Sequence, residues 1–328
     1  MRTLAFFNNK GGVGKTTLLY HLAWMFSELG RRVVVADFDP QANLTSMFLP
    51  ESQLEKLWDP DILTLQSIMA PLSPIIRGIG DIGSPPMIAV SPMIRLIPGD
   101  LNLSNFEANL SEAWGKCLDG SEPAFRTTSS LHRLVQAAAA DFDSDLVLID
   151  VGPNFGAINR AALICADAVV VPLAPDLFSI QGLRNLGPTL KKWRGEWQKR
   201  LVENPAPELA LPSAAMVPIG YVVVQFGIRD SRPVAAYDKW ARRIPATYSE
   251  KVVGNAPVSV TTESDPNCLG LLKHYRSLMP MAMEAHKPIF KLRPADGAIG
   301  AHSQGVRDCE RDFNLLAKRI LEALGLSD

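Results

Sequence analysis

The sequence predicts an α/β fold in which a mostly parallel central β-sheet is flanked by helices, and three observations carry that expectation. A glycine-rich turn over residues 8–17 stands between a short apolar run and a helical pattern, which is the order strand, turn, helix. Two later runs, Val33 to Asp37 and Asp145 to Asp150, are continuously apolar rather than alternating, as strands covered on both faces of a parallel sheet are, and each closes on an aspartate. Helical periodicities lie between these runs and can serve as crossover connections. The reading is a single domain over residues 1–328, with a variable insertion around 51–130 and a variable C-terminal region around 227–286.

The first strand is Thr3 to Phe7 and the loop after it reads Asn8-Asn9-Lys10-Gly11-Gly12-Val13-Gly14-Lys15-Thr16-Thr17. Glycines allow a backbone to wrap closely round an anion, because a Cβ would block either the dihedrals or the approach. Successive N–H groups and the positive end of the following helix then point at phosphates. Lys15 supplies a charge to the β/γ-phosphates and the Thr16 hydroxyl a ligand for Mg²⁺. The competing structural reading is a tight turn with two solvated lysines. The helix Leu18 to Leu29 stops at Gly30, a natural C-terminal cap. After the strand Val33 to Asp37 comes Phe38-Asp39-Pro40-Gln41-Ala42-Asn43, which places two acids one residue apart at a C-terminal strand end. Open α/β sheets bind ligands at that edge; a plain turn capped by Asp39 is the alternative.

Prolines and glycines from Pro50 to Gly99 argue for short elements, with a strand at Ile94–Ile97. Leu101 to Leu110 and Ser130 to Ala140 read as helices, and 115–128 as an exposed loop. Asp145 to Asp150 has the Walker B pattern, an apolar strand whose closing carboxylate holds Mg²⁺ through water. Gly152-Pro153-Asn154 follows as a turn. Ala161 to Asp167 reads as a helix, Ala168 to Leu173 as a strand, and a further helix begins at Ser179. Between Arg184 and Arg200 six basic residues, among them Lys191, Lys192 and Arg194, face only Glu196, while Trp193 and Trp197 share one helical face suited to burial. Asn204 to Pro218 reads as a loop and Val217 to Phe226 as a core strand. Arg229 to Arg243 is basic again. Lys273, Arg276, Lys287, Lys291 and Arg293 form a last basic run, within which Lys287 to Phe290 reads as a strand. Asp308 to Leu324 is a helix with a core stripe of Phe313, Leu316, Ala317, Ile320, Leu321 and Leu324.

Composition narrows the function classes. With 47% hydrophobic and 20% charged residues the chain is globular, and a formal net charge of −1 means that any nucleic-acid surface has to be a local patch. No apolar run approaches the roughly 20 residues of a membrane span, and with a strand expected from Thr3 no signal peptide is expected. Cys117, Cys165, Cys268 and Cys309 are scattered, without the paired spacing of a zinc site or a disulfide framework. A reducing, cytoplasmic location is expected.

The loop departs from G-x-x-x-x-G-K-[ST], since Asn9 stands where the first glycine belongs. Lys10-Gly-Gly-Val-Gly-Lys15-Thr16 instead resembles the deviant Walker A loop of the ParA/MinD family of P-loop ATPases, in which the extra lysine is the signature lysine. Asp37-Phe-Asp39-Pro-Gln-Ala42-Asn43 resembles that family's D-x-D-P-Q-G-N element, with Ala42 in place of glycine. Val171-Pro172, then Phe178 and Gly182-Leu183, resemble a third family segment. The likeness covers 1–50 and 145–190, and loosely 217–226 and 287–324; the family's Ile-Pro-Arg stretch is absent. The Asn-Lys-x-Asp motif that reads guanine is absent too, so ATP is expected over GTP.

The resemblance implies an ATPase domain using ATP and Mg²⁺. Gly11, Gly12, Val13, Gly14, Lys15, Thr16 and Thr17 would cradle the phosphates. Thr16, Asp39 and Asp150 would serve the metal, with Asp39 also orienting the attacking water. Lys10 would reach the phosphates of a partner subunit, so that ATP stabilises a homodimer. For the ParA branch the resemblance further implies non-specific DNA binding, nucleoid association, and a ParB-like partner that stimulates slow hydrolysis; Lys191, Lys192, Arg194, Lys273, Arg276 and Lys287 are the candidate DNA contacts. The other readings are a MinD-like membrane-cycling ATPase and an ATP-binding regulator without DNA binding. A metallocluster relative would need paired cysteines.

Overall fold

The computed structural model describes residues 1–59, 66–226 and 239–326. Eight strands form one sheet in the order β3-β4-β2-β5-β1-β6-β7-β8, flanked by helices: β1 (Arg2–Phe6), β2 (Val33–Asp37), β3 (Ile88–Ser91), β4 (Ile94–Ile97), β5 (Leu146–Asp150), β6 (Ala168–Leu173), β7 (Val217–Phe226) and β8 (Cys268–Lys273). The β1–β5, β2–β5, β2–β4 and β7–β8 pairs are parallel, and β3 runs antiparallel to β4. The predicted fold class is therefore the observed one. The chain divides into two compact units, Met1–Phe6 with Ser27–Val169 and Leu190–Val217, and Phe7–Phe26 with Val170–Thr189 and Pro218–Asp328.

In the first unit β1, β2 and β5 are buried along nearly their whole length, which is why their sequences are runs of Val, Leu and Ile without polar alternation. Register sets Phe6 and Asp37 opposite Asp150, so these three strands end level at one edge. Short helices α2 (Asn43–Phe48), α3 (Glu51–Trp58) and α4 (Met69–Ile76) occupy the proline-rich stretch, followed by α5 (Phe106–Lys116), α6 (Glu122–Thr128), α7 (Ser130–Phe142) and α8 (Ala157–Ile164). The expected helix from Leu101 opens as a 3-10 turn over Leu101–Asn105 before α5. The segment 115–128 is not an exposed loop: α6 buries Ala124, Phe125 and Thr128, and Pro123 in its first turn starts the helix at no loss of a bond. The helix expected at 161–167 starts four residues earlier, because partners outside its own sequence cap it. Trp193 and Trp197 are buried as predicted, and Trp197 stacks on Trp114 at 5.6 Å between ring centroids.

The second unit contains α1 (Lys15–Glu28), the first part of α9 (Leu177–Val202), α10 (Ile244–Tyr248), α11 (Leu278–Glu284) and α12 (Ala301–Ala323). The stripe Phe313, Leu316, Ala317, Ile320, Leu321 and Leu324 is buried, and the helix carrying it begins at Ala301, seven residues ahead of the expected Asp308. Residues 287–290 are not a strand but lead into a 3-10 turn over Ile289–Lys291. Pro288 has no N–H for a ladder, and the Ile289 N–H is spent on the His21 ring at 3.1 Å. Strand β8 went unanticipated, because Cys268-Leu-Gly-Leu-Leu-Lys273 carries no β-branched residue. Of the basic run 229–243, residues 229–238 lie outside the described residues.

Candidate functional site

In the second unit the loop leaves the sheet at Phe7, whose N–H bonds the Val170 carbonyl at 3.1 Å. Asn8 then anchors the turn. Its buried side chain donates to the Pro172 carbonyl at 2.7 Å and accepts the Lys10 N–H at 3.1 Å. Gly12 and Gly14 have φ of +72° and +79° with open space where a Cβ would stand, so glycine is needed there for backbone conformation and not for room. The chain then enters α1, whose first turn holds no acidic residue. A carboxylate in that turn would compete with an anion for the helix's positive end, and none does. Lys15 is buried at 7% exposure with its ammonium 3.4 Å from the Lys10 carbonyl, which turns the long side chain back over the loop.

The signature lysine lies at the mouth of the same loop. The Lys10 ammonium pairs with Asp176 of its own chain and sits 5.9 Å from the centroid of the Phe178 ring. Asp176 also accepts the Ser179 N–H at 2.9 Å, so it caps the start of α9. That helix can approach the loop because residue 182 is glycine: a Cβ there would meet Asn9 Oδ1 at 2.8 Å and Asn8 Oδ1 at 2.9 Å.

Beside the loop a cavity of about 370 Å³ is lined by Gly12 to Gly14, Thr17, His21 and Phe313, and by the end of β8 from Leu272 to Tyr275. Lys273 and Tyr275 are tied to α12 by Asp308 at 2.5 Å and Asp312 at 3.0 Å. His21 is fully buried, its Nδ1 bonded to the Thr17 carbonyl at 2.8 Å and its ring stacked on Phe313.

In the first unit the two acids at the C-terminal end of β2 part company. Asp37 is wholly buried and accepts both the N–H and the hydroxyl of Thr45, at 2.8 and 2.7 Å. The Thr45 hydroxyl in turn accepts the Gly99 N–H at 2.8 Å. Burial pushes the Asp37 carboxyl well above the ordinary carboxylate range, against the pull of the Thr45 bonds. Asp37 is thus an internal brace, and Asp39 the acid set beyond the strand end. The Asp39 Oδ1 accepts the Gln41 N–H at 3.0 Å, and Ala42, where the resembling motif has glycine, takes φ +50° in the left-handed region. For an alanine that conformation costs about 1 kcal/mol. Asp150 ends β5 with no exposure, level with Asp37. After it the Asn159 amide binds the Gly152 and Asn154 carbonyls, each at 2.7 Å, and so closes the turn.

The basic candidates are placed unequally. Lys191 and Lys192 are exposed on α9, with a loose Lys192–Glu196 pair at 3.9 Å. Arg194 is turned onto the Ala215 and Met216 carbonyls at 2.6 and 3.0 Å. Lys273 is paired with Asp308, and Lys287 with Asp296 at 2.8 Å; Arg276 is exposed at a left-handed turn position. Thr45 and Asp176 carry no signal in the sequence, because the groups they bond, Asp37, Gly99 and Lys10, are brought to them by the fold. Among the described residues no helix is long and apolar enough to cross a membrane.

The AAA domain family matches residues 1–202. The chain is 30% identical over 202 residues to the chromosome partitioning protein ParA of Caulobacter vibrioides, covering 61% of this chain and 66% of that relative. A Corynebacterium diphtheriae protein of known structure superposes with a TM-score of 0.72 at 24% identity over 99% of both chains. A plasmid partition protein of Borrelia burgdorferi, solved with AMPPNP, gives 0.61 at 20% identity over 98% of both.

Proposed function

The chain belongs to the ParA/MinD family of P-loop ATPases, and from that membership we propose that it is an ATP-dependent dimerisation switch which hydrolyses ATP slowly and binds DNA non-specifically to position a cargo. The observation that carries this reading is the loop itself: two left-handed glycines turn the chain into an acid-free helix start, with Lys15 folded over the same backbone. That arrangement suits a bound polyphosphate.

Phosphoryl transfer asks the protein mainly for positioning and charge neutralisation. In this reading the N–H groups of Gly11 to Thr17 hold the phosphates and Lys15 offsets β/γ charge. The Thr16 hydroxyl and the carboxylates of Asp150 and Asp39 are hard oxygen donors, the class that magnesium takes, and they would hold Mg²⁺. That ion supplies charge neutralisation at the phosphate oxygens. Asp39 orients the attacking water. The cavity beside Thr17 and Tyr275 receives the nucleoside. For Lys10 to reach a partner's phosphates its ammonium has to exchange Asp176 for phosphate. Loss of the γ-phosphate would then release the partner, the logic of a switch more than of a bulk catalyst. A ParB-like protein is the expected stimulator, and the nucleoid within the cytoplasm the expected location.

Two variants test the reading. Lys15→Ala should abolish binding of a fluorescent ATP analogue. Asp39→Ala should still bind ATP but accumulate as a dimer in light scattering. A monomeric Asp39→Ala protein in saturating ATP would overturn the proposal.

A further inference from the structure

Helix α5 belongs to the 51–130 stretch, which no motif claims, yet it grips the start of α8, the helix that follows the turn after β5. Both carboxylate oxygens of Glu107 are used: one accepts the Ala157 N–H, the other the Ile158 N–H at 2.9 Å. These are first-turn donors of α8, which its own sequence does not satisfy, since Gly156 at the cap has no side chain. The fit is close, because a Cβ on Gly156 would come within 2.6 Å of Glu107 Oε1 and 2.8 Å of Asn154 Oδ1. A second contact secures the same two helices, with the Arg160 guanidinium of α8 lying 4.2 Å from the ring centre of Trp114 on α5.

From α8 the constraint passes back to the acids. The Asn154 side chain accepts the Gly156 N–H at 2.7 Å, and the Asn159 amide binds the Gly152 and Asn154 carbonyls. Gly152 in turn packs so closely on Asp39 that a Cβ there would stand 3.3 Å from Asp39 Oδ1. Displacement of the α8 start therefore moves Gly152, and Gly152 is the wall against which the Asp39 carboxylate rests.

We infer that Glu107 is a positioning residue for hydrolysis: through the α8 start and the Gly152 turn it holds Asp39 in place, so the insertion helix governs the rate of the chemical step. This rests on the proposed ATPase function. Glu107 touches no candidate ligand group, and its loss should leave ATP binding intact.

The test is steady-state ATP hydrolysis by the full chain, read beside binding of a fluorescent ATP analogue and hydrogen exchange over residues 152–160. Glu107→Ala should lower kcat by about tenfold, the scale of a small misplacement of a reacting group. KM and analogue affinity should stay within about twofold, while exchange rises locally. Glu107→Gln keeps one acceptor and should fall between the two; it decides the matter if the alanine variant does not fold, since an unchanged kcat in Glu107→Gln would then overturn the inference. With Asp39→Ala as the inactive reference, a kcat for Glu107→Ala within twofold of the parent would sink it. So would an affinity loss as large as the kcat loss, because that pattern marks general destabilisation. A parent protein that hydrolyses no ATP at all would instead overturn the functional reading beneath it.

Discussion

His21 is the residue through which acid should be felt. Its Nδ1 faces the Thr17 carbonyl and therefore carries the proton, which leaves Nε2 to accept the Ile289 N–H at 3.1 Å. A second ring proton would point at that N–H. Burial pushes the group down to about 4, and the Thr17 bond only partly opposes this. Because the folded value lies below the unfolded one, the stability of the neutral ring is complete above pH ~6.5 and is lost as pH falls toward 4, up to about 3 kcal/mol. Asp37 works the other way: its raised value makes the folded state bind the extra proton, so its contribution grows as pH falls. The His21 share is therefore read as a difference. Between pH 7.5 and 5 the parent should lose several degrees of Tm more than His21→Gln, and equal losses would assign the acid sensitivity elsewhere. Nothing in the sequence marked His21, since its acceptor contact is 268 residues away. Lys15 and the glycines, by contrast, were legible, because their chemistry is completed by neighbours within a few positions.

At the scale of elements, α9 offers a paired experiment on helix packing. A Cβ on Gly187 would lie 1.7 Å from the Lys251 carbonyl oxygen in the π-helical turn Ser249–Val253, while one on Gly195 meets nothing within 4 Å. Alanine in an open helix interior gains about 1 kcal/mol over glycine. Gly195→Ala should therefore stabilise by up to that amount in urea unfolding, whereas Gly187→Ala should destabilise by about 1–3 kcal/mol through overpacking against backbone. Equal responses would mean that α9 does not press on that turn. The same contrast explains which elements could be read from sequence. Strands β2 and β5 are continuous apolar runs and were recognisable. The stretch Lys287 to Phe290 has strand-like residues but a proline where the ladder needs a donor, and His21 takes the next N–H. Helix α8 begins at Ala157 because Glu107, remote in sequence, supplies its cap.

For the molecule as a whole, the proposed DNA contact must come from local charge, since the formal net charge is −1. Lys273 and Lys287 are neutralised by Asp308 and Asp296, and Arg194 is committed to carbonyls, so Lys191 and Lys192 are the better phosphate partners. A Lys191→Glu, Lys192→Glu double variant should lose at least about tenfold in affinity for mixed-sequence duplex at 50 mM salt and flatten the salt dependence by about two phosphate contacts. Lys273→Ala should change it little; the reverse order in a fluorescence anisotropy titration would move the surface to the β8 side. The sequence by itself determined the sheet class, the phosphate loop, the ATPase family and the acids at the strand ends, because these are written as contiguous runs whose spacing is their meaning. Tertiary structure alone decided which acid is a brace and which stands beyond the strand. It also decided which lysines are spoken for and that α5, from a stretch without motifs, caps the start of α8. Each of those depends on groups brought together from distant positions, where burial and pairing change what the same side chain can do.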